Sequence, residues 1–463
     1  MEKNPLGEVK VGKLLRAYAI PSVISMLVGA LYNIVDQLFI GQSVGMLGNA
    51  ATNVAFPLST LCTAIALLFG IGSAANFSLH LGAGKKEEAA KFVGNGVVLL
   101  LSGGVLICVL VTVFLRPLML AFGATPDVIE YAVTYTGITA FGFPFLILTS
   151  GGSALLRADG SPRYSMACTL TGAVLNTILD PLFIFGFDMG MAGAALATVI
   201  GQVVSAVMVI VYLFRYKSVK LQKQHFKPSA RYAGKIVSLG MSHFFNQIAM
   251  MVVQIVMNNT MTYYGAQSVY GSDIPLACSG IIAKVSMIFF SFVIGISQGL
   301  QPIAGFNYGA GKYDRVRKTL RLALGFGTGI AVVFFLCFQI FPRQIIGLFG
   351  DGTEAYFRFA ERYFRIYLFF VFLDALQPIC SNFFTSIGKA KKGILLSLTR
   401  QVLFLLPLLV VLPMLFGIDG VMYAGPVADF VAAALSAVMV LLEFRLMRRQ
   451  ELERKTNETT AES

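Results

Sequence analysis

Apolar runs long enough to cross a lipid bilayer recur from one end of this 463-residue chain to the other. A transmembrane helix needs roughly 20 consecutive, predominantly apolar residues. Only 13% of the residues are charged, which is about half the fraction usual in soluble domains. Backbone groups in lipid must be hydrogen-bonded within the segment or in a closed barrel, and runs of this length indicate helices. The sequence therefore predicts an all-α, polytopic membrane protein.

Twelve such runs can be counted, and they fall into two sets of six. In the first half the predicted spans cover residues 14–41, 50–80, 92–115, 127–156, 164–186 and 190–213. In the second half they cover residues 234–263, 274–307, 319–341, 360–387, 393–416 and 420–444. Several runs exceed the minimum spanning length, which predicts tilted helices or helices that extend into water.

The basic residues indicate how the chain is oriented in the membrane. Most of the 36 Lys and Arg residues lie in the N-terminal stretch, in every second loop and in the C-terminal tail. Short loops rich in Lys and Arg are retained on the cytoplasmic side. We therefore expect both termini to be cytoplasmic. The net charge of +13 is explained by these loops and does not indicate a nucleic-acid partner.

A polar, basic loop near the middle of the chain predicts a division into two halves. The predicted parts are an N-terminal six-helix lobe at residues 1–213, a linker at 214–233, a C-terminal lobe at 234–446 and a cytoplasmic tail at 447–463. The turn Gly82-Ala83-Gly84-Lys85 recurs as Gly309-Ala310-Gly311-Lys312, and Phe122-Gly123 recurs at the same spacing as Phe349-Gly350. Corresponding loops on the same side of the membrane predict a parallel internal repeat, as in many secondary transporters.

No motif in the chain predicts catalysis or a bound cofactor. Neither Gly-Ala-Gly-Lys turn has the Gly-x-x-x-x-Gly-Lys-Ser/Thr spacing of an ATP-binding loop. The six cysteines lie in apolar runs without CxxC spacing, and the three histidines do not share zinc-ligand spacing with them. We therefore predict a protein that is not an enzyme, uses no ATP, has no catalytic residues and holds no cofactor or structural metal.

Acidic side chains inside the first-half spans are the strongest functional signal. Asp36 lies in the first apolar run, and Asp180 follows Asn176 by four residues, which places the amide and the carboxyl on one helix face. An ionised carboxylate in a span costs at least a few kcal/mol unless it faces a cavity or a partner, so such residues usually mark ion or proton pathways. The depths of Asp36 and Asp180 along their spans place both toward the outer half of the bilayer.

If Asp36 and Asp180 share a cavity, they form a site for a coupling ion. Two interacting carboxyls titrate as one coupled unit. A proton or a sodium ion could neutralise them, and a cationic substrate would compete for the same charge. This competition is the basis of an antiport mechanism. The alternative is two separate aspartates that each make structural hydrogen bonds.

Charged residues in the second-half spans allow two interpretations. Asp374 lies near the middle of the tenth span beside Pro378, either as a separate cation site or as a packing carboxylate. Asp429 could line a cavity or cap a helix, and Lys284 could pair with a carboxylate. Arg400 lies about two turns from the cytoplasmic end of its span, so we expect its side chain to extend to the interface.

Several segments together resemble one known family. They are Tyr32-Asn33-Ile34-Val35-Asp36, the stretch from Gly48 to Pro57, both Gly-Ala-Gly-Lys turns, Asn176 to Pro181, and Leu373-Asp374-Ala375-Leu376-Gln377. With six plus six spans, the chain resembles the multidrug and toxic compound extrusion (MATE) transporters, in particular the bacterial DinF-like and MepA-like branch. The resemblance implies two six-helix lobes and an alternating-access antiporter that exports lipophilic organic cations in exchange for H⁺ or Na⁺. It also implies that the protein lies in a bacterial inner membrane.

The resemblance also implies candidate site residues. Asp36, Asn176 and Asp180 match the coupling site of the amino-terminal lobe, where Na⁺ is a possible ligand in place of a proton. Asp374 matches an acid of the carboxyl-terminal lobe, but Asn246-Gln247 stand where some relatives have a glutamate, which favours the amino-terminal site. The remaining candidates are polar residues near these positions: Gln377 in the second lobe, and Asn33, Gln37, Lys284 and Asp429 as supporting residues.

A second function remains open at this stage. Related folds flip lipid-linked saccharides across membranes, but a cavity for such substrates should be lined with basic groups, whereas these spans offer chiefly acids. We therefore expect a monomeric exporter whose partners are small organic cations and membrane lipids.

Overall fold

The computed structural model of the chain describes residues 4–271, 273–349 and 353–462, with side-chain surroundings described up to residue 453. Gly350, part of the repeated Phe-Gly pair, and Ser463, the end of the predicted tail, lie outside these ranges. Within the described residues all regular structure is helical, and twelve helical segments have the length and hydropathy to cross a membrane. The prediction of an all-α fold with twelve spans is confirmed.

The spans of the first half begin and end close to the predicted bounds. They are Val11–Ser43, Met46–Gly82, Lys86–Val113, Ile129–Ala158, Pro162–Gly186 and Gly190–Leu213, numbered spans 1 to 6. A four-residue helix, Pro5–Glu8, precedes span 1 and is capped by the Asn4 side chain, which accepts a hydrogen bond from the Leu6 backbone N–H. A seven-residue helix, Leu115–Ala121, follows span 3.

The second half repeats this pattern. Its spans are Ala230–Ala266, Asp273–Gly309, Tyr313–Ile340, Glu354–Ser386, Ala390–Phe416 and Ile418–Glu453, numbered spans 7 to 12. The helix that contains span 12 continues to Glu462. A short helix, Pro342–Gly347, follows span 9, in the same place as the short helix after span 3. The linker contains one turn of 3₁₀ helix, Lys223–Phe226.

Two spans change their helical winding next to charged residues. Span 5 runs as an α-helix over Pro162–Pro181 and continues as a π-helix over Leu182–Gly186. Span 11 contains a π-helical stretch at Thr399–Leu405. Pro181 has no backbone N–H to donate, and π-helical stretches are frequent at functional sites. These irregular turns lie directly after Asp180 and around Arg400.

The helices pack into two compact units. One comprises Ala17–Ile248, and the other combines the chain up to Arg16 with the residues from Ala249 onward. The boundaries between the units therefore fall near the start of span 1 and near the middle of span 7.

Backbones approach closely inside the Ala17–Ile248 unit. A Cβ atom built on Gly240 of span 7 would lie 1.7 Å from the Leu68 carbonyl oxygen of span 2. Only glycine allows the two helices to approach so closely. At the end of span 4, the buried Asp159 fixes the loop after span 6: its carboxylate accepts hydrogen bonds from the backbone N–H groups of Lys217 (2.7 Å) and Ser218 (2.8 Å) and from the Tyr212 hydroxyl (2.8 Å).

The N-terminal segment is hydrogen-bonded to spans 8 and 9 within the other unit. The Asn307 side chain donates to the Leu6 carbonyl (2.9 Å), and the Arg315 guanidinium donates to the carbonyls of Leu6 (3.0 Å) and Val9 (2.7 Å). Lys312 donates to the Gly7 carbonyl at 3.0 Å. These bonds connect the first described residues to the unit built mainly from the second half of the chain.

Candidate functional site

Three candidate residues predicted from the sequence lie together inside the Ala17–Ile248 unit. Asp36 of span 1 is 7% exposed, and Asn176 and Asp180 of span 5 are 2% and 0% exposed. The Asp36 and Asp180 carboxyls are within hydrogen-bonding range of each other. The Asn176 amide donates to Asp180 Oδ1 at 3.3 Å, as their four-residue spacing in one helix allows.

Three further polar side chains surround this cluster. The Asn176 Nδ2 atom lies 3.2 Å from Thr198 Oγ1 of span 6. The Tyr135 hydroxyl of span 4 is in hydrogen-bond contact with Thr198, and both Tyr135 and Tyr32 lie close enough to the two aspartates to interact electrostatically. The sequence does not indicate a role for Thr198 or Tyr135, because a single Thr or Tyr in an apolar span has no signature of its own. Tyr32 does have a signal, since it lies four residues before Asp36 on the same helix face.

The cluster contains unused hydrogen-bonding capacity. Asp36 Oδ1, Asp180 Oδ2 and Asn176 Oδ1 are buried and have no hydrogen-bond partner. No ion pair to either aspartate occurs among the residues that the structure describes. Two carboxyls in contact can form a hydrogen bond only if one of them holds a proton, and carboxylate and amide oxygens are also good ligands for hard cations. The arrangement therefore suits the binding of a proton or of a small cation.

The acids of the second half have a different environment. The Arg400 side chain of span 11 is 11% exposed and lies between two aspartates: its Nε is 2.6 Å from Asp429 Oδ1, and its Nη2 is 3.6 Å from Asp374 Oδ2. The interpretation that Arg400 extends to the membrane interface is wrong. Arg400 lies in the π-helical stretch Thr399–Leu405, and two buried carboxylates compensate its charge. Asp374 and Asp429 thus share a cationic partner inside the protein.

The remaining candidates are not gathered into either cluster. The side chain of Gln377 donates to the Leu396 carbonyl at 2.6 Å and joins spans 10 and 11. Asn33 donates to the Gly29 carbonyl one turn earlier in its own helix (2.8 Å), and Gln37 is exposed. Lys284 is exposed and forms no ion pair with a carboxylate in the described part of the chain.

Asn246 and Gln247 are half-buried residues of span 7. They belong to the Ala17–Ile248 unit, whereas Asp374 belongs to the other unit. In the described residues no group of three or more His, Cys, Asp or Glu side chains is arranged to hold a metal ion.

Twelve spanning helices in two similar halves, with carboxyl groups buried at membrane depth, define a membrane transport protein. Comparison with known families agrees with this class. The MatE family model matches residues 21–182 and 243–411, one stretch in each half. The chain belongs to the MatE family, whose members are transporters and not enzymes.

Relatives with assigned names cover nearly the full chain. The multidrug export protein MepA of Staphylococcus aureus is 26% identical over 449 residues, which cover 95% of each protein. The MepA protein of Staphylococcus saprophyticus is 26% identical over 440 residues, or 93% of this chain and 94% of the relative.

Solved structures share the fold. An outward-facing multidrug resistance MATE family transporter of the MOP superfamily superimposes with a TM-score of 0.89 at 22% identity, covering 96% of this chain and 99% of that one. A MOP superfamily transporter from Pyrococcus furiosus, described as having a binding pocket of reverse polarity, gives a TM-score of 0.89 at 22% identity, with coverage of 97% and 99%.

Proposed function

We propose that this protein is a secondary antiporter that exports lipophilic organic cations from a bacterial cell in exchange for H⁺ or Na⁺. Its relatives in two staphylococcal species are named multidrug export proteins. We further propose that it lies in the inner membrane with both termini in the cytoplasm, because the basic residues concentrate in the loops that connect on that side.

The observation that carries the proposal is the unbalanced charge of the Asp36–Asp180 pair. One carboxyl oxygen of Asp36, one of Asp180 and the amide oxygen of the adjacent Asn176 are buried without a hydrogen-bond partner. Leaving a buried carboxylate without a partner is costly. The unpartnered oxygens of Asp36 and Asp180 are best explained by a cation that binds there in turn: the coupling ion in one state of the transport cycle and the cationic substrate in another.

The geometry supports a simple exchange. When the pair holds a proton or a sodium ion, its charge is reduced and its attraction for an organic cation falls. When the pair loses that ion, it attracts the substrate. The Asn176 Nδ2 atom is held by Thr198 and Asp180, and its amide oxygen is buried without a partner. Tyr32 and Tyr135 supply aromatic rings that can form cation–π interactions with a lipophilic cation.

The second-half acids are less suited to this role. Asp374 and Asp429 already share Arg400, whose charge occupies the position that an external cation would need. We therefore assign coupling to the first cluster and structural ion pairing to the second. The flippase alternative is not favoured, since the acids of the first cluster would repel a phosphate-bearing substrate.

Transport in proteoliposomes tests this proposal. The purified protein should expel a lipophilic cationic dye under an imposed proton gradient, a sodium gradient, or both, and the two arms identify the ion. The variants Asp36→Asn and Asp180→Asn should insert and fold but lose coupled efflux.

The matched control is Asp188→Asn. This residue lies in an exposed turn with a positive φ of 53°, a conformation that asparagine adopts as readily as aspartate. The control should transport normally. Full ion-driven transport by both Asp36→Asn and Asp180→Asn would refute the assignment, and no dye transport by the wild type under either gradient would refute the function.

A further inference from the structure

A basic cavity opens between the N-terminal segment and the start of span 9. Its volume is about 740 Å³. The ionisable side chains that line it are Glu8, Lys10, Lys13, Arg16, Asp314, Arg315 and Lys318. Five of these seven are basic. The cavity lies entirely within the unit that combines the chain up to and including Arg16 with the residues from Ala249 onward.

The positive charge of this cavity is not cancelled by its own acids. Asp314 is engaged in an ion pair with Arg317, which also pairs with Glu451 at 2.7 Å. Glu8 is therefore the one acid of the lining that is left to oppose five cations. Arg315 donates to backbone carbonyls and to the Asn307 side-chain oxygen at 2.9 Å, and these neutral acceptors leave its charge unbalanced.

Three of the lysines are available to a ligand. Lys10, Lys13 and Lys318 are exposed, and none forms an ion pair among the residues described by the structure. Their backbones are fixed by spans 1 and 9 and by the hydrogen bonds of the N-terminal segment. A concave group of lysines and arginines on a rigid frame is suited to an anion with several oxygen atoms, and phosphate is the usual example.

An exposed apolar stripe on span 9 continues from the cavity. Starting at Lys318 and Leu322, residues at helical spacings of three, four or seven lie on one side of the helix. The exposed members of this stripe are Phe326, Val333, Leu336 and Ile340, with exposed fractions of 45%, 58%, 47% and 58%. Gly325 and Gly329 have no atoms within 4 Å of a Cβ built on them, so the stripe is open along its length.

The basic cavity and the apolar stripe together indicate the kind of ligand. From Lys318 to Ile340 the stripe rises about 33 Å at 1.5 Å per residue, which exceeds the thickness of one leaflet, about 15 Å. A free phosphate would use only the cavity, whereas a phospholipid would use both parts. We propose that the cavity binds the phosphate headgroup of an anionic phospholipid and that span 9 accommodates its acyl chains.

Such a lipid would connect two segments that are distant in sequence. Its phosphate would contact lysines of the N-terminal segment and Lys318 of span 9, and would add ionic contacts to the hydrogen bonds that Arg315 and Asn307 already make. The unit should therefore be more stable in the presence of anionic lipid than in the presence of zwitterionic lipid.

The test measures thermal unfolding of the full chain in mixed detergent micelles containing phosphatidylglycerol or phosphatidylcholine. Phosphatidylglycerol should raise the unfolding temperature and phosphatidylcholine should not. In the triple variant Lys10→Gln, Lys13→Gln, Lys318→Gln, the apparent affinity for phosphatidylglycerol should fall about a hundredfold, since each lysine near an anionic headgroup contributes on the order of 1 kcal/mol.

The matched control removes three exposed lysines from the linker: Lys220→Gln, Lys223→Gln, Lys227→Gln. This variant should keep the wild-type response. Equal responses in the two triple variants would overturn the proposal. A shared loss would show an effect of net charge alone, and a shared wild-type response would show that Lys10, Lys13 and Lys318 do not hold the headgroup. A separate arm adds inorganic phosphate and pyrophosphate without lipid. If these raise the unfolding temperature as much as phosphatidylglycerol does, the cavity is a site for free phosphate and the lipid assignment is wrong.

Discussion

Replacing Arg400 by glutamine should destabilise the protein strongly, because burial determines the cost of breaking this ion pair. Arg400 lies 2.6 Å from Asp429 and 3.6 Å from Asp374, and the two carboxylates are 2% and 5% exposed. Removing one partner of a buried pair costs about 3–5 kcal/mol, since it leaves an uncompensated charge. At about 1 °C per kcal/mol for a chain of this size, the unfolding temperature should fall by roughly 3–5 °C.

The control uses an ion pair of nearly the same length on the surface. Arg343 lies 2.7 Å from Glu354, but the two side chains are 53% and 66% exposed. The pair raises the pKa of Arg343 mainly through its hydrogen bond to Glu354. Exposed pairs contribute little to stability, so Arg343→Gln should leave the unfolding temperature nearly unchanged.

A second variant separates lost charge from lost packing. Arg400→Met combined with Asp374→Asn and Asp429→Asn removes all three charges and should recover most of the stability lost by Arg400→Gln, because uncharged replacements of a buried ionic cluster are often neutral or stabilising. The measurement is unfolding of the purified variants in detergent. If Arg400→Gln unfolds within about a degree of wild type, or if the triple variant is less stable still, the cluster is not a buried charge balance and the reasoning is wrong.

Three further predictions concern other parts of the structure. Thr198→Val removes the hydroxyl that lies 3.2 Å from Asn176 Nδ2. It should weaken the affinity for the coupling ion about fivefold, which is the equivalent of one neutral hydrogen bond. The dependence of dye efflux on ion concentration measures this affinity, and an unchanged dependence would contradict the prediction. Gly240→Ala should lower the yield of folded protein, measured by size-exclusion chromatography, because its methyl group would overlap the Leu68 carbonyl. Gly234→Ala in the same helix is the control: its methyl group meets no atom within 4 Å, so this variant should fold normally. Burial raises the pKa of Asp159 above its ordinary value of 3.8, although four hydrogen bonds oppose the shift. The Asp159 carboxyl therefore binds a proton more tightly in the native state than in the unfolded state, and its contribution to stability should fall as the pH rises from about 4 through the raised pKa. The difference in unfolding temperature between wild type and Asp159→Asn, measured against pH, should show this decrease. An increase over the same pH range would refute the prediction.

Hydropathy and length predicted the fold because each span must satisfy its own backbone in lipid, whatever its neighbours are. The span predicted at residues 50–80 is observed at Met46–Gly82, and the one predicted at 274–307 is observed at Asp273–Gly309. The small differences lie at the helix ends, where water can replace intrahelical partners and hydropathy changes gradually.

Local spacing also explains how part of the candidate site was found. Asn176 and Asp180 are one turn apart in a single helix, so their contact follows from helix geometry alone. Asp36 lies near them because spans of similar direction bring residues of similar depth to similar levels. The role of these three residues in coupling stays a prediction.

The partners of Arg400 and Gln377 could not be predicted, because they depend on the direction in which each side chain points around its helix. Arg400 was expected at the interface because its distance from the helix end permits that. The π-helical stretch Thr399–Leu405 changes the angular position of the residues in that turn, and no feature of the sequence Thr-Arg-Gln-Val-Leu-Phe-Leu indicates it. The resemblance placed Gln377 in a site with Asp374, but its side-chain amide donates to the Leu396 carbonyl instead.

The hydrogen bond between the Leu6 carbonyl and the Asn307 side chain has a consequence for biosynthesis. Its two residues are 301 positions apart. At the usual rate of roughly 5–20 residues per second, a ribosome needs about 15–60 s to proceed from the first to the second. During that interval spans 1 to 7 are already made, while the N-terminal segment has none of its final partners on spans 8 and 9. The attachment of the amino terminus therefore follows the synthesis of spans 8 and 9, and a nascent chain stalled before span 8 leaves this basic segment accessible to proteases.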